Sequence, residues 1–380
     1  MHSKLSTTRR YDLDWLRVLA IFAVFLFHSL RFFTIEDWVV KNPTTYLALE
    51  NLANYIECWM MPLFFVISGA SIFFESLKNK PARKFVKDKT LRLLVPLVVS
   101  IFTLSILQVY LERLSHGEFK GPLWNFLPHY LDGLYGFGGN FAWMGLHLWY
   151  LEVLFIFCII LLPGILLLRR DYGQRVIHKL GDILAAKGAV YLLALAAILS
   201  WKLLNPDSLW GSTVFGWPLG VYFSFFIAGY LLVSNDRLRG SIQHLRWFSF
   251  AGVIASTILF FITQDHGDLV AWFVILACLG FARQHLNLPS SFLGYANQGV
   301  LPFYILHQPV LVLVGFFVVQ WQIPDPLKYL LIVLPTFMLI LGLYEFLVRR
   351  FNPLRFLFGM KQVPDLPRSA EFPYRSGFNL

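Results

Sequence analysis

The first strongly apolar run of the chain, WLRVLAIFAVFLFHSLRFF from Trp15, carries Arg17 and His28 eleven positions apart. At about 100° per residue, eleven steps are three turns plus about 20°, so both side chains leave a helix in one direction, about 16.5 Å apart along its axis. An ionisable group inside hydrocarbon is costly and by default marks function. The pair joins a fixed cation to a titratable base: Arg17 could hold an anion near one boundary, and a neutral His28 could take a proton from a hydroxyl deeper in. The plainer readings are a snorkelling anchor for Arg17 and a helix-packing hydrogen bond for His28. Arg31 stands near the far end of the run, where snorkelling suffices.

Later runs offer partners for this stripe. In HLWYLEVLF, His147 is expected at the outer interface and solvated. Glu152 falls at the depth of His28 and is expected either to orient and charge-balance it or to pair with another helix. In FYILHQPV, a helix start at 300 leaves His307 only about 10 Å in, well separated in depth from His28, so Tyr304 and His307 are assigned to the donor side or to structure. Glu345 is expected to pair locally with Arg349 and Arg350.

Seven Lys and Arg between 78 and 92, Lys89 and Arg92 among them, exceed what orientation alone needs. They would attract an anionic cytosolic ligand, and a phosphorylated donor such as coenzyme A would suit them. Residues 113–145 form a long connection rich in glycine and aromatics. One reading is a membrane-surface or re-entrant segment anchored by its rings. The other is a platform for the C–H faces of a sugar, with Trp124, Tyr130, Trp143, His147 and Trp149 as candidate contacts.

The elements that must position these residues are membrane helices. Of 380 residues, 57% are hydrophobic and only 14% charged, against roughly 25% charged in soluble domains. Runs near 15–33, 54–77, 93–112, 146–168, 187–204, 214–234, 247–263, 268–282, 300–320 and 328–348 approach the ~20 residues that span a bilayer, the seventh and eighth being short enough to form one broken pair. With the N-terminus inside, 25 of the 32 Lys and Arg fall in the connections assigned to the cytoplasm, against Lys41, Arg113 and Lys120 outside. The expected fold is thus an all-α polytopic bundle of about ten transmembrane helices, N-in and C-in, in the plasma (inner) membrane. It comprises a domain over 1–361 and a disordered cytoplasmic tail over 362–380; no cleavable signal peptide is evident. The net charge of +10 is spread over loops as a topology signal, which argues against nucleic acid. Cys58, Cys158 and Cys278 stand singly, so neither a disulfide framework nor a zinc site is expected, and no phosphate-loop or dinucleotide motif occurs.

In sequence order, LDWLRVLAIFAVFLFH, PLFFVISGASIFF at 62–74, Arg92 with Pro96, HLWYL at 147–151, YILHQPV at 304–310 and LYEFLVRRFNPLRFLFG at 343–359 form a recognisable set. The chain resembles the acyltransferase-3 family of integral-membrane acyltransferases from about Tyr11 to Lys361. The resemblance implies an enzyme that moves an acyl group, acetyl or succinyl, from cytoplasmic acyl-CoA to a hydroxyl, usually of a glycan at the outer face. It implies that Arg17 and His28 are essential, with no permanently bound cofactor or metal and acyl-CoA as co-substrate. Many members carry arginine where Lys89 stands, and the family's glutamate near Glu152 varies in position. The competing class is a transporter or flippase of an anionic lipid or glycolipid lined by the same two residues; a scaffold is disfavoured by the buried charges.

Overall fold

A computed structural model of the chain describes residues 9–186, 188–204, 218–263 and 267–363, apart from the side chains of 200–204. No β-strand is present among them; one isolated bridge joins Leu134 and Phe141. Eight helices are long and apolar enough to cross a bilayer. They are α1 (Tyr11–Leu30, continued by a 3-10 turn at Arg31–Phe33), α2 (Leu47–Ser76), α3 (Ala82–Ser115) and α4 (Leu146–Leu168), then, after the four short helices below, α9 (Arg246–Thr263), α10 (Gly267–His285), α11 (Ser291–Val318) and α12 (Asp325–Val348). Two bent pairs qualify only together. α5 (Asp171–Leu184) turns by 113° into a 3-10 turn and α6 (Ala194–Leu204), and α7 (Leu219–Leu232) turns by 106° into α8 (Asp236–His244). Counting each pair as one crossing gives up to ten, the number that hydropathy and charge alternation predict.

The short seventh and eighth runs are separate helices of 18 and 19 residues that pack on each other. Several helices start well before their apolar stretch: α2 at 47 rather than 54, α3 at 82 rather than 93, and α11 at 291 rather than 300. Backbone hydrogen bonding does not depend on side-chain polarity, so a capped polar turn extends a helix beyond its hydrophobic window. At α11, the Ser290 hydroxyl accepts from the Leu293 amide, an N-cap of the usual kind. The expected tail at 362–380 lies almost wholly outside the described residues.

Small residues set the closest approach in the bundle. Gly69 on α2 and Gly229 on α7 each face the other helix's backbone, and a Cβ at either would run into the carbonyl of Phe226 or Val66. Without a hydrophobic drive between helices in lipid, such backbone proximity and the van der Waals contact it permits hold spans together.

α3 is shaped by a π-turn at Thr90–Leu94 followed by Pro96. Proline has no N–H to return to the residue four before it, so the Arg92 carbonyl is released from the helix ladder. The C-terminal hook, α13 (Asn352–Leu357) and the turn after it, closes on that spot. A Cβ at Gly359 would stand 2.7 Å from the Arg92 oxygen, and Gly359 has φ +67°. Only glycine tolerates both conditions.

At the other end, two connections fold together. Lys41 ties the 34–46 segment by donating to the carbonyls of Arg31 and Glu36 at 2.9 and 2.8 Å and to Thr34. The 113–145 segment has its own small core of Val109, Phe126, Tyr130 and Ala142. Arg113 braces it, donating to Asn140 Oδ1 at 2.9 Å and to the Gly139 carbonyl at 3.0 Å. His116 Nε2 reaches the Trp38 carbonyl at 3.3 Å and joins the two segments.

Gly229→Val should separate α2 from α7 and cost at least ~1–3 kcal/mol, as overpacking does in close-packed interiors. A lower Tm of the purified protein in detergent would report it, whereas Gly240→Val, with open space around its Cβ position, should melt close to wild type.

Candidate active site

Arg17 is held on three sides. Its Nη1 donates to Asn297 Oδ1 of α11 at 3.0 Å and lies 3.3 Å from Asp14 Oδ1, and its Nη2 donates to Ser71 Oγ of α2 at 2.7 Å. Asn297 Nδ2 donates in turn to Asp14 at 3.0 Å. The guanidinium thus joins α1, α2 and α11, more than the single snorkelling contact that Arg17 alone would need. Higher on the same two helices, His307 Nε2 lies 3.3 Å from His28 Nδ1. α1 and α11 therefore run parallel, cross-linked at 17–297 and again at 28–307, about 16.5 and 15 Å further along.

This contact corrects two expectations. His307 is not remote from His28: measured from the observed helix starts at Tyr11 and Ser291, the two histidines stand about 25.5 and 24 Å in. The error came from starting α11 at its apolar edge. Nor does Glu152 partner His28. It is half-buried on α4 and makes no hydrogen bond or ion pair with any described residue, while His28 Nδ1 donates to the Val24 carbonyl at 2.9 Å and faces His307.

His147 is also placed differently from expectation. It is buried rather than solvated, in the 3-10 turn that opens α4, with its ring 5.0 Å from that of His307. Its Nε2 donates to the Ile305 carbonyl at 3.2 Å. That carbonyl is available because Pro309, four residues on, has no N–H to bond it. Tyr304 donates its hydroxyl to the His147 carbonyl and stacks on His307 at 5.6 Å. The three imidazoles are not arranged to hold a metal ion: the nitrogen that His307 leaves free of its backbone bond faces His28 Nδ1 rather than a centre shared by the three rings.

Beneath this cluster lies a cavity of about 530 Å³, within the range of small-molecule sites. Its mouth is lined by Arg9, Arg17, Arg92, Arg355 and Lys361, and no carboxylate is among the described lining residues. Among the described residues Arg355 donates only to neutral carbonyls, of Lys361 at 2.8 Å and Arg349 at 2.9 Å, and no carboxylate pairs with it. Arg92 makes no hydrogen bond or salt bridge to the described residues. Lys89 does not line the cavity, because Glu75 captures its ammonium at 2.6 Å. The inner end is formed by Ser68, Tyr150 and Tyr304, with Ser68 and Tyr150 hydroxyls 2.5 Å apart. His28 and His307 stand just beyond Tyr304.

The aromatic candidates separate. Trp124 is 71% exposed on the 113–145 segment. Tyr130 is buried in that segment's core, donates to the Ile101 carbonyl at 2.7 Å, and burial pushes its phenol up to about 12. Its hydroxyl is thus spent on structure. Trp143 is half-buried, and Trp149 stacks on Tyr222 at 5.6 Å inside the bundle. Trp38, which the sequence did not single out, lies 6.3 Å from the His28 ring. As expected, Glu345 pairs with Arg349, at 2.9 Å. The sequence reading also missed Asn297, Ser68, Tyr150, Arg9, Arg355 and Lys361.

A polytopic helical bundle with a cationic cavity leading to buried imidazoles is the setting of a membrane group-transfer enzyme, and residues 10–345 match the acyltransferase domain of the acyltransferase-3 family, to which the chain belongs. Among proteins it is similar to are glucans biosynthesis protein C of Salmonella paratyphi A, Salmonella agona and Salmonella dublin. Each is 24% identical over 400 aligned positions, covering 97% of this chain and 99% of the relative. No solved structure matches significantly.

Arg17→Ala should lower acyltransferase activity in isolated membranes by ~10–100-fold, as loss of a charged hydrogen-bonding group does. Arg17→Lys should recover little, because one ammonium cannot reproduce a planar fork that meets Asn297 and Ser71 from separate nitrogens. Full activity of the lysine variant would show that charge alone is required.

Proposed function

We infer that the protein moves an acetyl or succinyl group from cytoplasmic acyl-coenzyme A to a hydroxyl of a glycan at the opposite membrane face. The observation that carries this reading is the cavity: five cations at its mouth, no acid, and an inner end one side-chain layer below His28. Phosphates at Arg17, Arg92 and Arg355 would make charge-assisted bonds, leaving the flexible arm to enter toward Ser68, Tyr150 and Tyr304. Arg9 and Lys361 share that mouth, so the two ends of the described chain lie on one side. With the Lys/Arg excess of the connections, that side is assigned to the cytoplasm of a plasma (inner) membrane.

The chemistry is acyl transfer by general base catalysis. The acceptor oxygen attacks the thioester carbonyl, a C–O bond forms and the C–S bond breaks. The hydroxyl proton goes to His28 Nε2 and from there to the departing thiolate, so one free thiol appears per ester made. His28 Nδ1 carries its proton toward the Val24 carbonyl, which leaves Nε2 as the basic nitrogen. The folded connections of 34–46 and 113–145, with Trp38 beside His28 and Trp124 exposed, are the proposed approach for the glycan. The name of the relatives, glucans biosynthesis protein C, makes a glucan the first acceptor to try.

The test is oriented reconstitution. Proteoliposomes should require acetyl- or succinyl-CoA on the face of Arg9 and Lys361 and a soluble glucan on the other, with ester appearing beside the glucan and free thiol beside the donor. Ester formation with both substrates confined to the donor face would overturn the trans-bilayer arrangement. Movement of a lipid or glycolipid without thiol release would favour a transporter. His28→Ala should abolish thiol release while the protein still inserts, since one interhelical polar contact contributes only about 0.6 kcal/mol on average.

A further inference from the structure

Building on the acyltransferase reading, we propose that His307 is the positioning residue of His28, taking in this site the part that a carboxylate takes in other general-base pairs. The argument rests on which nitrogens can carry protons. His307 Nδ1 lies 2.5 Å from the Tyr304 carbonyl, which can only accept, so the His307 proton is on Nδ1 and its Nε2 presents a lone pair. His28 Nδ1 lies 2.9 Å from the Val24 carbonyl and 3.3 Å from that lone pair. Two acceptors converge on one N–H. The ring is held as the Nδ1–H tautomer, with Nε2 free to receive the hydroxyl proton.

The bonds run in one sense. His28 donates to His307, and His307 to the carbonyl of Tyr304. This two-bond head-to-tail series is mutually polarising through the His307 ring, and it ends on backbone, where it cannot reverse; separately, the Tyr304 hydroxyl donates to the carbonyl of His147. From the other side, the His147 ring lies against His307 and is itself fixed by the carbonyl that Pro309 leaves open. His307 is fully buried, while His28 is partly exposed. Only His28 is therefore placed to meet an acceptor. When His28 becomes an imidazolium, its Nδ1–H still points at a neutral nitrogen. No buried carboxylate has to be maintained at this depth, where a lone charge costs several kcal/mol. The groups facing His28 are His307 from α11, His147 from the start of α4, and Arg31 from its own chain segment.

Full-length protein in nanodiscs, with acetyl- and succinyl-CoA as donors and a soluble glucan as acceptor, tests the assignment. His307→Leu and His307→Met remove the acceptor at near-constant volume and should lower kcat by about 10²-fold, the low end of general-base effects, with both KM values close to wild type. His307→Gln, whose amide oxygen can stand in for Nε2, should restore most of that loss. Wild-type kcat in Leu or Met, or a Gln variant as slow as Leu at wild-type Tm, would overturn the positioning role. If Leu and Met do not fold, Gln decides alone: retained kcat supports the role, and a kcat about 10²-fold down in folded protein overturns it. Failure of the wild type to release thiol from either donor would instead overturn the acyltransferase reading, and this role with it.

Discussion

Arg17 has its donors met by side chains of three helices, and the way it does so sets the register of the whole site. Asn297, Ser71 and Asp14 are the partners that fix it. Because two of them belong to other helices, satisfying one side chain aligns α1, α2 and α11. Once α1 and α11 are matched at that level, three turns of α1 raise His28 to the height of His307, which stands ten residues above Asn297 on α11. The lower contact is an electrostatic necessity and the upper one its geometric consequence. The glycine crossing of α2 and α7 then holds the side of the bundle away from this pair.

Three prolines give the site its shape by what they fail to bond. Pro96 releases the Arg92 carbonyl, where Gly359 brings in the hook that carries Arg355 and Lys361 to the cavity mouth. Pro309 releases the Ile305 carbonyl, which fixes His147 beside His307. Pro302 likewise leaves the Gln298 carbonyl without its helical partner, on a residue that lines the cavity. In hydrocarbon a backbone acceptor with no donor is expensive. Each missing N–H therefore requires some other group to approach, and at Ile305 that group is an imidazole.

What the sequence made legible follows the range of the forces involved. The spans and the Arg17–His28 stripe depend on properties local to one helix; eight of the ten spans are found as single helices, and the stripe is found with them. Glu345 with Arg349, four residues apart, is of the same kind. Partners between helices were misassigned wherever depth was counted from the edge of an apolar run, since α11 gains nine residues of polar helix below its hydrophobic start. That shift alone moves His307 by about 13.5 Å. Lys89 was read from the density of its basic neighbours, but its nearest anion, Glu75, sits at the end of the preceding helix. Tyr130 and Trp149 are candidate sugar contacts by sequence, whereas burial of their faces arises from contacts that no single segment encodes.

The cavity's lack of an acidic lining has a thermodynamic meaning of its own. Asp14 pairs with Arg9 and Arg17, but Arg92, Arg355 and Lys361 have no carboxylate partner among the described residues, so the empty protein holds free energy that an anion of matching reach releases. Occupancy and stability are then linked: whatever neutralises the mouth also tightens the hook around Gly359 and the α1–α11 alignment behind it. The same reasoning makes affinity sensitive to ionic strength, because mobile counterions screen those charges before the ligand arrives. A cell's salt and anion pool thus become part of how firmly this bundle is closed.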